Sequence, residues 1–293
     1  MTPCADLQIG PLCFRLESES ALFLDYPNWA YSDFVRASTD EHDLTIGMRV
    51  LPVRLHRGGI PCPEGEPLFA AGQNWAVWKE KDGGYLFCAG FSGRPRALRA
   101  CRVDAELRRA ELHVDGELSI EPLRYPLDQV LSWGLLAQCG GVLLHAAVVE
   151  KDGVALVLAG RSGAGKSTLS ALCHRAGWSI LNDDRTMVFP RAGQWMAAGT
   201  PWHGSGKYAR NQEAPLRALC LLVQDRMHAW AELPRQAGLR ALLDVTSIPW
   251  FEENWSEASL RNLETLMDGI AVRQFRFAPE MDAVEVLSSA LKG

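Results

Sequence analysis

Apolar and polar positions follow different patterns in the two parts of the chain. Up to residue 122, short apolar or alternating runs separated by Gly and Pro are typical of strands. They lie at 44–55, 75–79, 85–89 and 107–114. Asp82-Gly83-Gly84 predicts a hairpin turn between two of them, and Pro61, Pro63 and Pro67 indicate an irregular loop. We therefore predict a smaller, mostly β region over residues 1–122.

Beyond Pro126 the apolar positions predict helices and strands in alternation. A helix at 127–139 begins after Pro126 and ends at Gly140-Gly141. Further helices are predicted at 168–176 (with Gly177 as C-cap), 232–244, 256–267 and 280–291. Strands are predicted at 142–149, 154–159, 178–182, 186–189, 217–223 and 271–277. Such alternation predicts an α/β domain over residues 123–293, built around a mixed or mostly parallel sheet.

Residues 160–167 read Gly-Arg-Ser-Gly-Ala-Gly-Lys-Ser and match the phosphate-loop pattern G-x-x-x-x-G-K-[ST] between a predicted strand and helix. Glycines let consecutive backbone N–H groups turn inward, and the helix start adds unpaired N–H groups and its positive dipole end. Lys166 would reach the β- and γ-phosphates, and the Ser167 hydroxyl would bind Mg²⁺. We therefore expect ATP and Mg²⁺ as cofactors. The predicted nucleotide-binding residues are Gly160, Arg161, Ser162, Gly163, Ala164, Gly165, Lys166, Ser167 and Thr168.

Two further motifs flank this loop in the sequence. Asp183-Asp184 ends the strand predicted after the loop helix. One carboxylate can hold Mg²⁺ while the other accepts a proton from an attacking hydroxyl. Most Asp-Asp pairs are solvated turns or caps, but the adjoining phosphate loop favours the catalytic interpretation. His145 lies in the strand that returns to the loop through one hairpin. It is either a core histidine or a member of the phosphate site.

Leu144-His145, the loop 160–167 and Leu181-Asn182-Asp183-Asp184 together resemble the catalytic core of the HPr kinase/phosphorylase family. They are most similar to its shorter HPr-kinase-related serine kinases. The resemblance covers roughly residues 140–225 and implies a phosphate-loop kinase domain similar to phosphoenolpyruvate carboxykinase. It implies that Asp183 is the general base toward an acceptor serine. It also implies that Asp184 and Ser167 hold the metal and that His145 orients or tunes the Asp pair.

The chain departs from that family downstream of the Asp pair. Where the family carries a signature resembling Glu-Ile-Arg-Gly-Leu-Gly, this chain reads Gly-Thr-Pro-Trp-His-Gly-Ser-Gly-Lys at 199–207. The difference argues against a phosphorylase reaction and against HPr as substrate. Trp202, His203, Lys207 and Arg210 could line an acceptor site, with the Trp stacking and a cation neutralising phosphoryl charge. The alternative is a structural turn anchored by the Trp.

Composition narrows the class of partner. With 30 basic and 35 acidic residues the formal charge is −5, which gives no reason to expect nucleic-acid binding. No signal-peptide pattern and no apolar stretch of about 18 residues is present, so we expect a cytoplasmic protein without a membrane partner. Eight cysteines without a C-x-x-C pair are expected to be small buried hydrophobes rather than zinc ligands.

Three functions are compatible with these motifs. The first is a kinase that transfers the γ-phosphoryl group of ATP to a hydroxyl, with serine of a peptide or protein as acceptor. The others are a small-molecule kinase and an ATP-binding regulatory or assembly module. Neither a Leu-Ser-Gly-Gly signature nor an Asn-Lys-x-Asp motif occurs, which argues against transporter ATPases and GTPase switches. The N-terminal region would recruit the acceptor or form a homo-oligomer.

Overall fold

The computed structural model describes residues 4–18, 31–37, 43–51, 60–91, 96–115, 123 and 125–291. The protein has a mixed α/β fold that divides into two compact units. One comprises Met1–Gln8 and Leu12–Leu135, and the other Ile9–Pro11 and Leu136–Gly293. No helix in the described part of the chain is long and apolar enough to span a membrane.

The first unit is built on a ten-stranded sheet. Its strands are β1 (Cys4–Ile9), β2 (Leu12–Ser18), β3 (Val35–Arg36), β4 (Leu44–Leu51), β5 (Ile60–Pro61), β6 (Phe69–Ala71), β7 (Trp75–Lys79), β8 (Tyr85–Phe91), β9 (Arg96–Val103) and β10 (Arg109–Asp115). The strand order is β3-β1-β2-β4-β10-β9-β8-β7-β6, and β5 pairs with β9. β4 runs parallel to both β2 and β10.

The predicted hairpin in this unit is confirmed. β7 and β8 pair antiparallel, and the turn between them has Gly83 at a φ of +89°. The Gly84 N–H donates to Asp82 Oδ1 at 3.0 Å. The strand predicted at 44–55 is found as β4 from its first residue, Leu44, whereas the strand predicted at 107–114 begins only at Arg109, as β10. Residues 52–55 of the predicted run lie outside the described residues.

The second unit carries an eight-stranded sheet. Its strands are β11 (Val142–Lys151), β12 (Val154–Ala159), β13 (Ser179–Asn182), β14 (Arg185–Arg191), β15 (Gln194–Ala198), β16 (Glu213–Gln224), β17 (Ala229–Glu232) and β18 (Ala271–Phe277). The helices are α1 (Leu127–Gln138), where the division between the units falls, α2 (Lys166–Arg175), α3 (Arg235–Leu243), α4 (Glu253–Gly269) and α5 (Asp282–Ser288). A 3-10 turn, Ser289–Leu291, follows α5.

The sheet of the second unit is mixed, which confirms one of the two predicted alternatives. Parallel pairing joins β12 to β16 and β16 to β18, whereas the other pairs described for the strands of this sheet are antiparallel. The mostly parallel alternative is therefore wrong. The pattern did not reveal β15 and β17, two short and partly exposed strands whose antiparallel pairing reverses the chain.

This sheet has two parts, which share the long strands β11 and β16. One part also contains β14 and β15, and the other contains β12, β13, β17 and β18. Residues 142–145 of β11 pair with β14, and residues 146–151 lie between β12 and β13. β16 likewise pairs first with β15 and then with β12. The chain that leaves β13 must therefore cross along β11 to enter β14. The two residues that make this crossing are Asp183 and Asp184.

The central strands are buried on both faces. One face packs on α3 and α4 through residues such as Val148 and Leu263. The opposite face packs on α2 and α5, where Leu158, Leu169 and Leu287 are fully buried. Strands covered on both faces read as continuous apolar runs, which is why β12 is apolar throughout. Each such buried side chain stabilises the fold by about 1.5–3 kcal/mol, so the loop that follows β12 is held by a rigid strand.

Two local predictions needed correction. α2 begins at Lys166, two residues before its predicted start, because Gly165 at a φ of +99° is the N-cap and the loop leads directly into the helix. The cysteines are free, but Cys4 and Cys139 are exposed, so the expectation of burial is wrong for those two. Cys173 on α2 is buried in the apolar core, and burial raises the pKa of its thiol to about 12.

Candidate functional site

Residues 160–167, which we call the phosphate loop after their sequence pattern, join the carboxyl end of β12 to α2. Gly163 and Gly165 have φ values of +83° and +99°, in the region that only glycine adopts without strain. A Cβ on Gly165 would also lie 2.6 Å from Cζ of Phe277, the last residue of β18. The first N–H groups of α2 have no acceptor within the helix. The loop therefore presents backbone donors at the end of a buried strand.

Lys166 crosses this loop from the start of α2. Its side chain is buried, and Nζ donates to the carbonyl oxygen of Gly160 at 2.7 Å and to that of Arg161 at 3.5 Å. Burial lowers the pKa of the ammonium group, and the negative charge of Asp184 opposes this shift. A poorly solvated cation therefore lies against the loop, within the electrostatic influence of Asp184.

Two side chains that the sequence patterns did not single out hold the loop from outside. Gln224 ends β16, and its Nε2 donates to the carbonyl oxygen of Gly163 at 2.8 Å. Asp244, the C-cap of α3, forms an exposed ion pair with Arg161 of the loop at 2.6 Å. The signal for Gln224 is its position, since a polar residue at the end of a strand parallel to β12 lies at the same sheet edge as the loop.

Asp183 is buried, with 3% of its surface exposed, and backbone groups hold both of its carboxylate oxygens. The Gly204 N–H donates to Oδ1 at 2.7 Å and the Gly206 N–H to Oδ2 at 2.6 Å. A Cβ added to Gly206 would lie 2.7 Å from Asp183 Oδ2, and a Cβ added to Gly204 would lie 3.2 Å from the same atom. Side chains at these positions would collide with the carboxylate, so we call residues 204–206 the glycine clamp.

Asp184 is more open than its neighbour, with 34% of its side chain exposed. Its Oδ1 lies 3.2 Å from His145 Nε2, and its Oδ2 lies 3.9 Å from Arg185 Nε. The hydrogen bond from His145 is the largest cause that lowers the pKa of Asp184; the charges of His145, Arg185 and Lys166 add to it, and burial opposes it. His145 is thus a partner of the Asp pair rather than an isolated core residue.

The position of His145 follows from the path of β11. It is the last residue that pairs with β14, and its backbone N–H donates to the carbonyl oxygen of Val245 at 2.7 Å. The next N–H, that of Ala146, donates to the carbonyl oxygen of Asp184 at 3.0 Å. β11 therefore fixes both residues of the His145–Asp184 pair where the chain changes from one part of the sheet to the other.

Asn182 connects the Asp pair to the segment that carries the clamp. The side chain is fully buried, and its Nδ2 donates to the carbonyl oxygens of Thr200 and Trp202 at 3.1 and 3.0 Å. Its Oδ1 accepts the Asp184 N–H at 2.8 Å. The sequence motif contained Asn182 but assigned it no role. Its role in the structure is to hold the Asp pair and residues 200–202 in one network.

The predicted loop, the Asp pair and His145 meet at one cleft of about 350 Å³. This volume lies within the range of small-molecule sites. The lining residues are His145, Ser162, Gly163, Gly165, Lys166, Ser167, Thr168, Asp183, Asp184, Gly204, Ser205 and Gln224. Gly160, Arg161 and Ala164 belong to the loop but do not line the cleft.

The four residues predicted for an acceptor site do not line this cleft. Trp202 is only 8% exposed, so its ring offers no open face for stacking, and its burial matches the alternative of an anchored turn. His203, Lys207 and Arg210 are exposed. From the same segment, the clamp residues Gly204 and Ser205 reach the cleft instead.

The donors in the cleft suit a hard cation bound together with phosphate. No group of three or more His, Cys, Asp or Glu side chains that could hold a metal occurs within the described ranges. Ser167 and Asp184 nevertheless both line the cleft with oxygen donors. Mg²⁺ is usually held by one or two protein oxygens and completed by water and substrate phosphates. The residues present fit that arrangement.

Comparison with known proteins gives a matching family model and a set of similar solved structures. The family model described as "SynChlorMet cassette protein ScmC" matches residues 127–266, just under half of the chain, and this range includes the cleft. It is not a model of the HPr kinase/phosphorylase family that the motifs resemble. No curated protein matches the chain.

Among solved structures, the chain is similar to the Hpr(Ser) kinase/phosphatase from Coxiella burnetii. The match has 12% identity and a TM-score of 0.29, and it covers 52% of this chain and 99% of that chain.

Proposed function

We propose that the protein is a Mg²⁺-dependent kinase that transfers the γ-phosphoryl group of ATP to a serine hydroxyl of a peptide or protein. One observation carries the proposal: a phosphate loop, a buried aspartate and a His-linked aspartate line the same cleft. Binding alone would need only the loop. A fixed carboxylate beside the loop is a group that can accept the proton of an attacking hydroxyl during phosphoryl transfer.

In this proposal the loop and Lys166 bind the triphosphate. The first N–H groups of α2 donate to phosphate oxygens, and the positive end of the helix dipole faces the anion. Lys166 exchanges its carbonyl acceptors, Gly160 and Arg161, for phosphate oxygens. Because the ammonium is already buried, its attraction to the phosphates is stronger than it would be in water.

Asp183 is the proposed general base. It accepts the proton of the acceptor hydroxyl while that oxygen bonds to the γ-phosphorus, the bond to the β–γ bridging oxygen breaks, and ADP leaves. The glycine clamp donates one hydrogen bond to each carboxylate oxygen, which leaves a second lone pair on each for the hydroxyl. A base fixed in this way requires no reorganisation when the acceptor arrives.

Asp184 and Ser167 are the proposed metal ligands. Because its pKa is lowered, chiefly by the hydrogen bond from His145, Asp184 is a carboxylate at neutral pH. Mg²⁺ would supply charge neutralisation for the phosphates there. His145 acts through Asp184, whose orientation it fixes, and is therefore a positioning residue.

The serine acceptor rests on the resemblance of Leu144-His145, the loop and the Asp motif to HPr-kinase-related serine kinases. A phosphate-loop kinase domain over residues 123–293 is part of the same proposal. The β-rich region over 1–122 would recruit the acceptor or mediate homo-oligomerisation.

Incubation with γ-labelled ATP, Mg²⁺ and the peptides encoded beside this chain tests the proposal. We expect label on one peptide, with mass spectrometry locating the phosphate on serine. Asp183→Asn should abolish transfer and retain ATP binding, because it removes the base without touching the loop. Unchanged transfer in this variant would contradict the base assignment. ATP turnover without any labelled acceptor would support the regulatory alternative instead.

A further inference from the structure

Two methionines beside the phosphate loop have no role in the site described so far. Met227 is 67% exposed and Met281 is 37% exposed. Together with Trp250, they are the exposed large apolar side chains in the described part of the second unit. Met227 lies in the loop after β16, and Met281 lies in the loop after β18. Exposed methionines are characteristic of adaptable binding surfaces.

Hydrogen bonds join the two loops into one surface, which we call the methionine platform (residues 225–228 and 278–281). The Asp225 N–H donates to the carbonyl oxygen of Phe277 at 2.9 Å, and the Ala278 N–H donates to His228 Nδ1 at 3.3 Å. Asp225 also pairs with Arg276 at 3.1 Å. These polar groups are paired within or beside the platform, while its two methionine side chains face solvent.

The platform adjoins the phosphate loop through the last residues of β16 and β18. β12, β16 and β18 are parallel neighbours, so their carboxyl ends meet at one edge of the sheet. Gln224 bonds to Gly163 in the loop, and Phe277 packs against Gly165. The platform begins one residue beyond each of these two contacts.

The order of strands gives a bound triphosphate a direction. β12, which carries the loop, has β11 on one side and β16 on the other. His145 and the Asp pair belong to the β11 side. If the terminal phosphoryl group of a bound triphosphate faces Asp183, the nucleoside end would extend to the other side of β12, toward β16 and β18.

From this geometry we propose that Met227 and Met281 bind the nucleobase of the triphosphate. The proposal rests on the proposed function and adds the subsite for the base. A nucleobase has flat aromatic faces, and unbranched thioether side chains pack on such faces with favourable sulfur–aromatic contacts. The chemistry that the platform recognises is thus an aromatic heterocycle attached to a polyphosphate held by the loop.

Calorimetric titration with ATP and with inorganic tripolyphosphate tests the proposal, because only ATP carries a base. In Met227→Ala/Met281→Ala the Kd of ATP should rise about tenfold, the combined effect of two lost thioether contacts. The Kd of tripolyphosphate should stay within about twofold of wild type. Trp250→Ala is the matched control, since it removes an equally exposed apolar side chain outside the platform. It should change neither value.

The outcomes separate this proposal from the proposed function. An unchanged Kd for ATP in the double variant would show that the base binds elsewhere, while triphosphate binding by the loop would stand. Equal weakening of ATP and tripolyphosphate would show that the platform only supports the loop, which also overturns the proposal. Wild-type protein that binds neither ligand would overturn both. If the double variant does not fold, Met227→Ala alone should still raise the Kd of ATP selectively.

Discussion

The phosphate loop and the segment 199–210 are both rich in glycine, but their glycines are needed for different reasons. Gly163 and Gly165 adopt positive φ values within the loop itself. Gly204 and Gly206 are needed because a carboxylate 21 and 23 residues earlier in the chain lies against their backbone. A local requirement produces a recognisable motif. A requirement set by a distant residue produces only a Gly-rich stretch whose purpose the sequence does not reveal.

The largest expected effect tests whether Trp202 anchors the second segment. Since the ring is buried, Trp202→Ala should destabilise the protein by about 3–5 kcal/mol through the cavity it leaves. Chemical denaturation measures this loss. If Trp202 instead formed a stacking surface for the acceptor, the variant would keep its stability and raise the KM for the peptide.

The next largest expected effect concerns Lys166 of the phosphate loop, whose glycines meet a local requirement. Lys166→Ala should raise the Kd of ATP and lower phosphoryl transfer by about 10²–10³-fold, because it removes the buried cation of the loop. Titration with ATP and a transfer assay measure the two quantities. Lys151→Ala, at the end of β11, is the control and should behave as wild type. Full affinity and activity in Lys166→Ala would overturn the assignment of the loop.

Gly206→Ala tests the non-local requirement directly. Its Cβ would lie 2.7 Å from Asp183 Oδ2, so the carboxylate must move. A misplacement of about 1 Å lowers transfer by roughly 10²-fold, and ATP binding should stay unchanged. Gly238→Ala on α3 is the matched control, because its Cβ meets only ordinary contacts at 3.5 Å and beyond. Equal kcat in both variants would mean that the clamp does not position the base.

The smallest expected effect is a shift in the pH dependence of phosphoryl transfer. His145→Ala removes the main cause that lowers the pKa of Asp184, so this pKa rises. The acid limb of Mg²⁺-dependent transfer should then move to higher pH, as a pH–rate profile would record. His113→Ala removes a comparable His–carboxylate contact in the first unit, to Glu111 at 3.1 Å, and should leave the profile unchanged. Coincident acid limbs in wild type and His145→Ala would contradict the pairing.

The same pair links stability to pH with a defined sign. A carboxylate whose pKa is lowered on folding stabilises the protein above the unfolded pKa, about 4, and loses this contribution as pH falls through the folded pKa. The difference in Tm between wild type and His145→Ala should therefore be present at pH 7 and shrink below about pH 4. A difference that grows with acidification would show the opposite linkage.

Several elements of both units could be predicted from the chain alone. β12, β18 and the hairpin at β7 and β8 follow from apolar runs and turn residues that act within a few positions. The antiparallel β15 and β17 could not be predicted, because short, half-exposed strands have little apolar pattern of their own. Gln224 was missed for a different reason, because its partner Gly163 is brought near only by the pairing of β12 and β16.

By itself the sequence determined the phosphate loop, the His145 and Asp183-Asp184 motifs, and the alternation of strands and helices around them. These features depend on residues adjacent in the chain, where local backbone geometry and periodicity operate. Only the tertiary structure decided how the motifs meet. β11 and β16 run through both parts of the sheet, which forces the chain to cross at the Asp pair and brings residues 204–206 around Asp183. Hydrogen bonds between residues so far apart exist only once the sheet has formed.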